Sequence, residues 1–226
     1  MDTKRVRSLS RRSFVAAAAC VGLAASAQVV GRRREGRRKM RFDRDRFVEE
    51  CVAAHREGEP QAAVREVLER AVKSPGDVLA GLGTPERAGL DVLVRSPTLT
   101  IFAAHWAPRQ SLPAHDHRMW ALIGLYTGRE DNIFWRRERG SVAAVAANVL
   151  FAGDVATLPA DAVHSVTNPL PRFTGGIHIY GGDFFATPRS QWHAETLVEE
   201  PSDGATILAM FERENERLRA ERGGCS

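Results

Sequence analysis

The chain has 226 residues, 43% hydrophobic and 27% charged, which suits one packed domain with appendages. Its formal charge of +4 hides an asymmetry: residues 1–39 hold eleven Lys/Arg and two acids, a net of +9, leaving −5 on the remainder and no basic body to argue for nucleic-acid binding. Three cysteines, Cys20, Cys51 and Cys225, stand far apart with no CxxC, so neither a disulfide framework nor a thiolate metal site is indicated.

Residues 1–39 read as a targeting segment. Arg11 and Arg12 follow Ser10 and precede Phe14, close to the twin-arginine pattern, and Ala25-Ser26-Ala27 offers a small-x-small cleavage site after an Ala-rich stretch. That stretch is too short for a permanent membrane span. Met40 offers a second reading, in which translation starts there and 1–39 is an over-long gene start. The first reading implies export by the twin-arginine route, the second a cytoplasmic protein.

From Met40 the pattern turns helical. Phe47, Cys51 and Ala54 recur at helical spacing, with Asp43 and Asp45 at the start and Gly58 at the end. Pro60 opens a second stripe of Ala63, Val64, Val67, Leu68 and Val72, and "GLGTP" closes a helical segment over 40–84 that is expected to pack on the body. Short apolar, β-branched runs then recur at 89–95, 98–106, 118–126, 130–137, 142–149, 153–158, 162–168 and 174–180, the rhythm of a β-sandwich or barrel. Beyond Gly181 the chain reads as loop, until 206–221 gives a terminal helix with Ile207, Met210, Phe211 and Leu218 on its apolar side. It is expected to pack outside the barrel.

Two stretches carry chemistry. In "LPAHDHRMWALIGLYTGRE", His115 and His117 are two apart, so a strand would project both imidazoles to one face. In "GDVATLPADAVHSVTNP", Gly153, Pro159, His164 and Asn168 stand at fixed spacing. Together these resemble the two motifs of the cupin superfamily, with Asp161 where the second motif usually has glycine. The resemblance covers roughly residues 85–200 and implies a mainly β protein, a double-stranded β-helix or jelly-roll barrel. It also implies that the two motifs face each other, bringing His164 to His115 and His117 as metal ligands. The positions of the usual glutamate ligand hold Ala121 and Leu122. Glu130 lies past the hairpin glycine, Gly128, and is read either as a solvated turn residue or as a support behind the site.

The three-histidine set is similar to the thiol dioxygenases, cysteine dioxygenase and its bacterial relatives acting on 3-mercaptopropionate. Those relatives carry a Ser-x-His-x-Tyr array. Here "GGIHIYGG" keeps His178 and Tyr180 and has Gly176 in place of the serine. Arg189 stands where that branch holds the substrate carboxylate, and Leu122 occupies the position of the cysteine that cross-links to the tyrosine in the mammalian type. The resemblance implies Fe(2+), dioxygen and a small thiol carboxylate as cofactor and substrates, with a sulfinate as product. Tyr180 and His178 would be catalytic and Arg189 substrate-binding. Three histidines do not choose among divalent metals. A metallocupin of other activity, a non-thiol dioxygenase or an isomerase, and a non-enzymatic small-molecule-binding cupin therefore stay open. His105 is read as a core or rim histidine, Arg118 as structural, Trp120 as strand packing, and His55 and His193 as surface residues.

Overall fold

The computed structural model describes residues 42–223. The targeting segment, with its twin-arginine motif, and Met40 lie outside the described residues. Three helices come first: α1 (Arg44–Ala54), α2 (Pro60–Val72) and α3 (Pro75–Leu82). The Asp43 side chain caps α1 by accepting from the Arg46 N–H at 2.9 Å, a bond that satisfies one of the free donors of the first turn. Pro60 and Pro75 each open a helix, where a missing N–H costs nothing. The expected stripes are buried: Phe47, Cys51 and Ala54 on α1, and Val64, Val67, Leu68 and Val72 on α2.

Eleven strands follow: β1 (Gly89–Arg95), β2 (Thr100–Trp106), β3 (Ser111–Asp116), β4 (Ala121–Thr127), β5 (Arg129–Glu138), β6 (Ser141–Phe151), β7 (Val155–Leu158), β8 (Val163–Thr167), β9 (Thr174–Tyr180), β10 (Arg189–Trp192) and β11 (Glu199–Ser202). They form two antiparallel sheets, ordered β1-β2-β9-β4-β7 and β11-β10-β3-β8-β5-β6. Strands distant in sequence thus lie side by side in each sheet, and the architecture is the double-stranded β-helix. A helix, α4 (Gly204–Gly223), completes the described chain.

Alternation along each strand sorts side chains into two cores. Outside the five-stranded sheet, Ile101, Leu122, Tyr126, Ile177 and Ile179 pack against the apolar stripes of α1 and α2 and Val78 of α3. Between the sheets, Phe102, Ile123, Leu125, Val166, Tyr180 and Phe184 form a second core. Close packing leaves glycine little choice at two places. A Cβ on Gly124 would come within 2.8 Å of the Leu68 side chain, and Gly128 holds φ +80° in the β4–β5 turn with the Thr174 backbone 2.8 Å from the same position.

Three differences from the sequence reading stand out. The stretch after Gly181 contains β10 and β11, four-residue strands of largely polar sequence whose order comes from pairing with β3 and with each other. Trp120 lies just before β4 rather than within a strand. Finally, α4 does more than lie against the outside: Ile207 and Phe211 form part of the wall of the cavity between the sheets. An open barrel end exposes apolar side chains, and this helix covers them.

Candidate metal centre

His115 on β3 and His164 on β8 are direct partners in the antiparallel register, so their side chains emerge together on the inner face. His117 follows immediately after β3 and joins them. One nitrogen from each ring lies within 4.8 Å of the others, and all three residues are buried. His164 Nε2 and His117 Nε2 are 3.3 Å apart.

The outward nitrogens fix the tautomers. His115 Nδ1 is 2.9 Å from the Pro113 carbonyl and His164 Nδ1 is 2.7 Å from Asn132 Oδ1. Both must donate, which leaves each Nε2 lone pair facing inward. Burial drives all three histidines toward neutrality: His115 falls to about 4, and His117 and His164 fall well below the usual histidine value. His117 Nδ1 has no partner among the described residues, so its proton can sit on Nε2 and be donated to His164 Nε2, or move to Nδ1 and leave a third lone pair facing inward for a cation. The set can hold one divalent metal ion.

The facing sheet supplies the other side of the cavity. His178 and Tyr180 on β9 point inward while Ile177 and Ile179 point to the helices. His178 Nδ1 lies 3.3 Å from the Tyr180 hydroxyl. The Tyr180 ring meets His117 edge-on at a centroid distance of 5.0 Å. Burial raises the Tyr180 pKa and lowers that of His178 to about 3. The cavity has a free volume of only about 20 Å³, room for one or two waters. Apart from the four histidines and Tyr180, its walls are apolar, among them Phe102, Trp106, Phe184 and Phe211.

Arg189 is buried on β10. Its guanidinium stacks 4.0 Å from the centre of the Phe184 ring, and one amino group donates to the Phe184 carbonyl. It is not one of the cavity's wall residues, yet its charge helps to lower the pKa values of His115 and His117 and opposes the burial-driven rise at Tyr180. Its Nε and the second amino nitrogen have no hydrogen-bond partner among the described residues.

Glu130 is fully buried, so the solvated-turn reading is replaced by the supporting one. It accepts from Asn132 Nδ2 at 3.0 Å, and Asn132 in turn holds His164. The sequence reading did not single out Asn132. Its signal is the spacing of two from Glu130, which puts both side chains on one face of β5. His105 bonds the Tyr126 hydroxyl at 2.9 Å and takes no part in the cluster. Arg118 reaches Asp116 and Ser190, and Trp120 packs over Gly181. His55 ends α1, half-buried, rather than lying free on the surface.

No family model matches the sequence. Solved structures similar to the chain include a double-stranded β-helix protein from Klebsiella pneumoniae, 16% identical over 45% of this chain and 77% of that one, with a TM-score of 0.36. Another is a cupin family protein from Methanocaldococcus jannaschii, 10% identical over 44% of this chain and 84% of that one, with a TM-score of 0.37. A third is the DMSP lyase DddQ from Ruegeria pomeroyi, 17% identical over 49% of this chain and 54% of that one, with a TM-score of 0.38. Such likenesses are slight; the strand order and the two facing sheets define the fold of this chain as a double-stranded β-helix. Within that class it carries three buried histidines on one sheet and a His–Tyr pair on the other.

Proposed function

We propose that the protein is an iron-dependent thiol dioxygenase that adds both atoms of dioxygen to the sulfur of a small thiol carboxylate, giving a sulfinate. The observation that carries this reading is the convergence of three neutral imidazoles opposite the Tyr180–His178 pair. Ferrous iron on the inward nitrogens of His115, His117 and His164 would supply the redox chemistry that joins dioxygen to sulfur. The chain's own residues do the rest. Phe102, Trp106, Phe184 and Phe211 exclude bulk water and limit the substrate to a few heavy atoms. Tyr180 holds a proton at its hydroxyl, and His178 orients that hydroxyl. The Nε edge of Arg189 suits a carboxylate bound by two parallel hydrogen bonds, reached once the Phe184 ring swings aside.

A second reading, a metallocupin acting on an uncharged substrate, is favoured by one feature: Phe184 stands among the wall residues and Arg189 does not. One experiment separates the two. Anaerobically purified protein is analysed for metal, loaded with ferrous iron, and tested for oxygen consumption with cysteine, 3-mercaptopropionate, mercaptosuccinate and cysteamine. Uptake with the carboxylate-bearing thiols supports the proposal. In that case Tyr180→Phe lowers turnover roughly 10–100-fold with metal content preserved, while Arg189→Ala mainly raises KM for these thiols. No uptake with any thiol overturns the dioxygenase reading.

A further inference from the structure

Two buried polar atoms beside the cavity have no partner among the described residues, and they face each other: Glu130 Oε2 and His178 Nε2, 3.8 Å apart. The roles of their neighbours are already fixed. For His164 to keep an inward lone pair, its Nδ1–H must donate to Asn132 Oδ1. Asn132 then turns its amino group to Glu130, so Glu130 Oε1 must accept. The Trp106 indole N–H also faces this carboxyl, short of hydrogen-bond geometry. Glu130 is thus surrounded by donors, and the remaining one is His178.

The geometry points to Glu130 as a positioning residue that sets the tautomer of His178 and, through it, the direction of the hydrogen bond to Tyr180. Oε2 accepts the His178 Nε2–H after a closure of about 1 Å into hydrogen-bond range. The proton then sits on Nε2, and the Nδ1 lone pair accepts the Tyr180 O–H across 3.3 Å. Two arms end on one carboxylate: Tyr180 to His178 to Glu130, and His164 to Asn132 to Glu130. A single buried acid thereby orients a metal-facing histidine on one sheet and the tyrosine on the other. This deepens the proposed roles of Tyr180 and His178, but its test requires neither metal nor thiol.

The test is nitrogen-15 NMR of the histidine rings in the full chain, stripped of metal by a chelator, at pH 8. His178 is identified by the signals lost in His178→Gln. The native chain is expected to show the Nε2–H form. Glu130→Gln is nearly isosteric: its oxygen keeps the bond from Asn132, so its amino group must face His178 Nε2. The tautomer should flip to Nδ1–H. In the iron-loaded protein the same variant should lose roughly 10–100-fold in turnover, with metal content and KM little changed. A second variant guards against misfolding. Glu130→Ala removes the acceptor without supplying a donor, so it should leave His178 as a mixture of both tautomers. An Nδ1–H form in the native chain, or a tautomer indifferent to Glu130→Gln, overturns the assignment. A tautomer that flips in a protein consuming no oxygen with any thiol upholds it and removes the thiol reading instead.

Discussion

At the scale of residues, the site is four histidines held neutral in an apolar space. His115 belongs to the three-histidine cluster and His55 does not, which gives the first prediction. His115→Ala should abolish metal retention measured after gel filtration, whereas His55→Ala, at the end of α1, should leave it intact. The second concerns acid. His115 and His178 fall from 6.5 to about 4 and about 3, and His117 and His164 fall well below 6.5, all chiefly through burial. A depressed histidine is neutral when folded and takes up a proton below pH 6.5 when unfolded. Its contribution to stability is therefore complete above 6.5 and lost as pH falls toward its folded value. Glu130 acts oppositely, because burial raises it from 4.5 to about 7; its contribution is lost as pH rises through that range. Between pH 4.5 and 6.5 four groups oppose one. Each unmatched proton changes stability by roughly 1.4 kcal/mol per pH unit. The Tm of the metal-stripped chain should drop steeply from pH 7 to pH 5; a flat profile would contradict neutral burial of these rings.

At the scale of elements, sequence pattern told most where local period and burial agree. The stripes of α1 and α2, and the strands carrying His164, His178 and Tyr180, fell where alternation placed them. Arg189 and Glu130 were harder to read. One is buried on a short strand created by tertiary pairing, the other sits at the start of a strand whose inner face is visible only once the barrel closes. The role of α4 was hidden for a related reason. Its apolar residues announce burial but not against what, and the answer is the cavity itself. This helix is tied down at Asn215, which accepts from the Ala88 N–H at 2.8 Å and donates to the Ala88 carbonyl at 3.0 Å. Both Ala88 groups lie in a fully buried residue. Asn215→Ala leaves them unpaired and should cost about 1–3 kcal/mol. If α4 closes the cavity mouth as a unit, amide exchange should quicken along the helix and leave β9 nearly unchanged. Equal acceleration in both would show global weakening rather than release of α4.

At the scale of the whole molecule, burial is uneven. The five-stranded sheet is covered by helices on its outer face and by the second core on its inner face. The six-stranded sheet ends in β6, an eleven-residue strand, SVAAVAANVLF, with no charge and no proline. No strand pairs with its outer edge among the described residues. Val145, Val149 and Phe151 on β6 are 53%, 37% and 54% exposed, and Ile133 on the adjacent strand is 41% exposed. The device that most proteins use on such an edge, an outward lysine or a proline, is missing here. The neighbouring charges do not supply it, because Arg129 is paired with Asp131 and Arg136 with Glu138. A bulge opposite Phe134 and Trp135 leaves Val145 unpaired within the hairpin, and it twists the edge only locally. A long uncharged edge of β-branched and small residues is a template for another strand. The native body should therefore associate as concentration rises, seen by light scattering or sedimentation. Val145→Lys puts one charge in the middle of that edge at a position whose side chain touches solvent. It should suppress the association while shifting stability by no more than about 0.5 kcal/mol, the usual range for an exposed site. Association unchanged by Val145→Lys would mean that another surface drives it.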